Sequence, residues 1–60
     1  PKSHILDTLA TAFWANGLIE EAIDAEREAL RSDPAQAAYY REQLERFRNE
    51  RYSDGPTRVN

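Results

Sequence analysis

Two interruptions, Asn16-Gly17 and Asp33-Pro34, break an otherwise helical apolar pattern and confine this chain to three short helices. Before the first, Leu6, Leu9, Ala10 and Phe13 fall at i, i+3, i+4 and i+7, one face of a 3.6-residue helix spanning about 3–16. Ser3 is the expected N-cap, its hydroxyl accepting from a first-turn amide, and Asn16-Gly17 supplies a left-handed stop. A second helix, about 18–31, carries Leu18, Ala22, Ala25 and Ala29 on one stripe with Ile19, Ile23 and Leu30 beside it. Glu20 and Glu21 sit at its positive dipole end, Arg27 and Arg31 toward the other. Asp33 then reads as a cap, Pro34 as a first helical residue whose missing N–H costs nothing, and Gln36 as the far half of a capping box. That third helix, about 34–51, aligns Ala37, Tyr40, Leu44 and Phe47, with Arg41, Glu42, Glu45, Arg46, Arg48 and Glu50 alternating in charge outside. Residues 53–60 are turn formers with little to bury and are expected to be a flexible tail.

The expected fold class is all-α, an antiparallel hairpin with a third helix and one unit over 1–52. The short turn at Gly17 folds the first two helices back on each other, and the alanines of the second let the backbones approach closely. Leu6, Leu9 and Phe13 are the expected filling of that seam. A chain of 60 residues buries only about 60% of its unfolded surface and is marginal alone. Scaffolds this small usually recruit disulfides, a metal or oligomerisation. With no cysteine and one histidine, self-association or a larger parent chain is left. The start on Pro1 without a methionine also suits a piece of a longer protein.

Charge and residue type exclude several classes of function. The net charge is −3; residues 1–30 hold six acids against Lys2 and Arg27, and residues 31–60 hold six arginines against five acids. Neither half forms a basic patch for a nucleic-acid backbone, so no nucleic-acid partner is expected. Apolar runs fall far short of the roughly 20 residues a bilayer requires, so no membrane partner is expected either. A soluble, cytoplasmic setting is the expectation, although cysteine gives no clue to compartment. His4 and Asp7 lie at i, i+3 but zinc sites usually need three or four ligands; neither a metal nor another cofactor is expected. The serines sit at caps or in the tail, and the acids Glu20, Glu21, Asp24 and Glu28 read as a solvated face. No catalytic residues are assigned and the chain is read as not an enzyme.

A shift of 34 residues lays Leu6 on Tyr40, Ala10 on Leu44 and Phe13 on Phe47. Together with Leu6, Leu9, Ala10 and Phe13 in order, Gly17 at the turn, Ala22 and Ala29 in the second helix and Pro34 at the close, this period resembles the tetratricopeptide repeat over residues 3 to about 50. Glu26 departs from the pattern, standing where the family usually has a bulky apolar residue. Gln43 and Leu44 depart in the third helix, which resembles a C-terminal capping helix of an α-solenoid.

The resemblance implies a protein-protein interaction module that holds a peptide or partner domain on its inner helix face. Position by position that face is His4, Asp7, Thr11 and Trp14, continued by Ala38, Arg41, Glu45 and Arg48. Family members that clamp a terminal carboxylate use lysine and asparagine there; Asp7 and Thr11 do not match them. Arg41 and Arg48 suit acidic groups of a peptide. Since Phe13 takes the core position, Trp14 is expected about 100° round the helix, as an anchor for a partner or an adjoining repeat. The alternative functions are a self-associating, homo-oligomeric or capping element of a larger array, and a repeat segment appended to an enzyme.

Overall fold

The computed structural model describes residues 2–50, and the expected tail at 53–60 lies outside them. Three helices follow in order: α1 (Lys2–Ala15), α2 (Ile19–Ser32) and α3 (Ala37–Asn49), with a 3₁₀ turn at Pro34–Gln36 leading into the last. The fold is all-α. Among the described residues no helix is long and apolar enough to cross a membrane.

Gly17 closes α1 as its sequence suggests. Its φ of 80° is left-handed, its N–H donates to the Trp14 carbonyl, and the Leu18 N–H donates to the Phe13 carbonyl. This pair of reversed bonds is a Schellman ending, which satisfies carbonyls the helix leaves unpaired. A Cβ at position 17 would meet nothing within 4 Å, so backbone conformation alone requires glycine here. α2 thereby returns along α1. Ala10 of α1 and Ala22 and Ala29 of α2 are fully buried, which brings the two helices into the most extensive contact of the molecule.

Both expected side-chain caps are corrected. Ser3 lies inside α1, which starts a residue earlier, and is buried. Asp33 makes no capping bond; its carboxylate instead accepts from the Tyr40 hydroxyl at 3.4 Å. Pro34 opens a 3₁₀ turn and the α-helix proper begins at Ala37, because Gln36 leaves helical geometry at φ −106° and ψ 28°.

α2 is the central element, touching both neighbours along its length, whereas α3 approaches α1 mainly through long side chains. The core gathers Ala10, Trp14, Ala22, Ala25 and Phe47, with Phe13, Ile19 and Ile23 packed against it. Tyr40 is buried too. Two expected core leucines are not: Leu9 is 43% and Leu18 44% exposed. The inward arc of α1 is centred on Ala10 and runs through Ser3, Leu6, Asp7, Phe13 and Trp14, about 100° round from the arc on which Leu9 sits.

Candidate functional site

α1 meets α2 and α3 on one side and is bare on the other, and the sequence-derived site residues of α1 divide between the two. Trp14 is corrected from an outward anchor to a core residue. It is 4% exposed, its ring lies 5.2 Å from that of Phe47, and its indole N–H donates to the Glu50 carbonyl at 3.0 Å. The Arg46 guanidinium lies 5.0 Å from the centre of the indole ring, close enough for a cation–π attraction. Phe13, assigned to the core in its place, is half-buried. Trp14 rather than Phe13 sets its ring near Phe47 of α3, with Phe13 packed at the margin of the same cluster.

Asp7 is likewise drawn inward, half-buried, with one carboxylate oxygen accepting from the Tyr39 hydroxyl at 2.9 Å. His4 and Asp7 do share a site. With Ser3, Asp33, Gln36, Tyr39 and Tyr40 they line a cavity of about 400 Å³ between α1 and the start of α3. Thr11 is exposed and its hydroxyl donates to the Asp7 carbonyl one turn back, a local bond that keeps the side chain on its own helix. Arg41 and Arg48 are exposed and, among the described residues, take part in no ion pair. Arg48 borders a separate hollow of about 320 Å³ with Ile19, Phe47 and Asn49. No hydrogen bond or ion pair joins Arg41 or Arg48 to His4 or Thr11 among the described residues.

The side of α1 turned away from its neighbours carries what the sequence reading missed. His4, Ile5, Thr8, Leu9 and Ala12 line an open apolar groove of about 400 Å³, where Ile5 is 69% exposed. Ile5, Leu9 and Ala12 follow one another at i, i+4 and i+7, a signal present in the sequence but masked by the equally good stripe through Leu6 and Phe13. Elsewhere the surface is charged. Glu28 pairs with Arg31 and lies 4.0 Å from Lys2, and the Arg31 guanidinium holds its carboxyl below the usual carboxylate range.

Glu26 is the other residue whose surroundings its sequence position understated. It is fully buried in the middle of α2. Burial first, then the Asp7 carboxylate beside it, push the Glu26 carboxyl up to about 8. Among the described residues no group of three or more His, Cys, Asp or Glu is placed to hold a metal ion.

Comparison with protein families, with curated proteins and with solved structures yields no match to this chain.

Proposed function

We propose that this chain is a protein-protein interaction module of the tetratricopeptide kind, and that it docks another helix through the Ile5, Thr8, Leu9 and Ala12 face of α1. The observation that carries this reading is the exposed apolar groove on that face. The 34-residue echo supports it. Tyr39, Gln43 and Arg46 form the edge of α3 nearest α1, Tyr39 reaching Asp7 and Arg46 covering Trp14. Shifted by 34 residues they fall on Ile5, Leu9 and Ala12. The bare stripe of α1 is therefore the counterpart of an edge that already meets a helix within this molecule.

The occupant is a second copy of the chain. α1 carries only Lys2 and Asp7 as charged residues, and Asp7 is turned toward α3, so two such faces meet across a two-fold axis without like-charge repulsion. Pairing also answers the marginal stability of so small a unit. Sedimentation from micromolar to millimolar concentration tests it: the native chain associates, whereas Leu9→Glu stays monomeric and helical. A native chain that remains monomeric throughout, with α1 intact, overturns the reading.

A second reading draws on Arg41 and Arg48, exposed and without an ion pair among the described residues. On it, α3 holds acidic groups of a bound peptide through the two guanidinium groups.

A further inference from the structure

Asp7, Glu26 and Tyr39 come one from each helix and meet where α3 leans over the α1–α2 pair. Hydrogen-bond accounting leaves a deficit there. Tyr39 donates to Asp7 Oδ2 at 2.9 Å, but Asp7 Oδ1 and both Glu26 oxygens are buried without a donor. No lysine, arginine or histidine forms an ion pair with either carboxyl among the described residues. The titratable groups that share a cavity with Asp7 are His4 from α1, Tyr39 and Tyr40 from α3, and Asp33 from the connecting turn, and Tyr39 also feels the Glu26 charge. Arg27, next to Glu26 on α2, is exposed and Glu28 is engaged with Arg31.

Two adjacent carboxylates cannot both stay ionised in such a place, because each loses its hydration and repels the other. One proton removes the conflict. A protonated Glu26 becomes a donor, and the neighbouring orphan oxygen of Asp7 becomes its acceptor. The geometry points to a proton shared by Glu26 of α2 and Asp7 of α1 as the catch of the three-helix junction, closed while the proton is held, with Asp7 Oδ2 accepting from Tyr39 of α3, and released when it leaves.

The direction of the response follows from the Glu26 carboxyl, which burial and Asp7 push up to about 8. The native chain holds a proton that the unfolded chain has already lost, so the contribution is complete below the ordinary carboxylate range. It is lost as pH rises through the native value. Between those limits a one-proton difference lowers the folding constant about tenfold per pH unit. Tyr39 stays a donor throughout, since burial first, and Asp7 with it, raise its hydroxyl to about 12.

Urea unfolding of the whole chain at a series of pH values tests the catch, with the fluorescence of Trp14, the one tryptophan, reporting whether α3 still covers it. The native chain should show a falling urea midpoint and a red-shifting indole as pH rises from about 6 to about 9. Glu26→Gln, whose amide donates to Asp7 without titrating, should lose that dependence. A native midpoint that does not fall over this range, or a Glu26→Gln chain with an unchanged slope, overturns the proposal. Should Glu26→Gln not fold, the carboxyl carbon resonance of Glu26 in the native chain decides. Titration near 8 supports the shared proton, and titration in the ordinary carboxylate range overturns it.

Discussion

The joint between α1 and α2 and the joint that adds α3 are made of different materials. The first is a short turn and a seam of alanines: Gly17 in a left-handed conformation, then Ala10 clustered with Ala22 and Ala25, and Ala29 fully buried further along α2. Its alanine seam carries no polar side chain, although the buried Ser3 and the Asp7–Glu26 carboxyl pair also belong to these two helices. The second joins residues 32 and 36 positions apart, Tyr39 to Asp7 and Trp14 to Glu50, through rings and hydrogen bonds over a buried acid. Close backbone approach makes the alanine seam of the first joint intolerant of bulk and indifferent to pH. Long side chains spanning a gap make the second depend on individual atoms and on one proton.

That contrast is open to attack from both sides. The largest effect is expected from Trp14→Ala, which removes the Phe47 contact and the bond to Glu50 together and should cost about 3–5 kcal/mol. For a unit this small that is most of its stability. Circular dichroism and amide NMR should then find α3 detached, and a fully docked α3 would break the distinction. Ala22→Phe attacks the other joint by overpacking and should cost about 1–3 kcal/mol, with the same loss at about pH 6 and about pH 9. A pH-dependent loss there would merge the two joints into one. The smallest effect belongs to Glu28→Gln on the surface, readable chiefly as a change in acid sensitivity. Because Arg31 depresses the Glu28 carboxyl, its contribution is present above the ordinary carboxylate range and fades as pH falls through the native value. Urea midpoints at acid pH should therefore separate the variant from the native chain less than those at neutral pH. Added salt should shrink the difference further.

How far the sequence reached follows the same division. The Gly17 turn and the alanines at 22, 25 and 29 were legible because each expresses a local requirement, a left-handed residue or a small one, that residue type alone declares. The inward face of α1 was not. Leu6 and Phe13 mark one helical stripe, Ile5, Leu9 and Ala12 another, and Ser3, Ala10 and Trp14 a third, so periodicity within the helix had no polar side from which to choose. The choice was made by Phe47 and Tyr39, thirty-odd residues away, which drew Trp14 and Asp7 beneath α3. Of the sequence-derived site, His4, Thr11, Arg41 and Arg48 are exposed. Asp7 and Trp14 instead serve the joint. Asp33 misled for a more local reason: its carboxylate, expected to cap the helix, accepts instead from the Tyr40 hydroxyl seven residues on. Glu26 was visible as a departure from the family pattern, but its isolation among helices could be seen only once Asp7 was known to lie beside it.

The bond from the Trp14 indole to the Glu50 carbonyl has an uneven genetic consequence. Its acceptor belongs to the main chain, so replacing the side chain at position 50 leaves that oxygen in place, while almost any replacement at position 14 deletes the donor. Over long divergence the two ends of this one contact would drift at very different speeds, the glutamate freely and the tryptophan hardly at all.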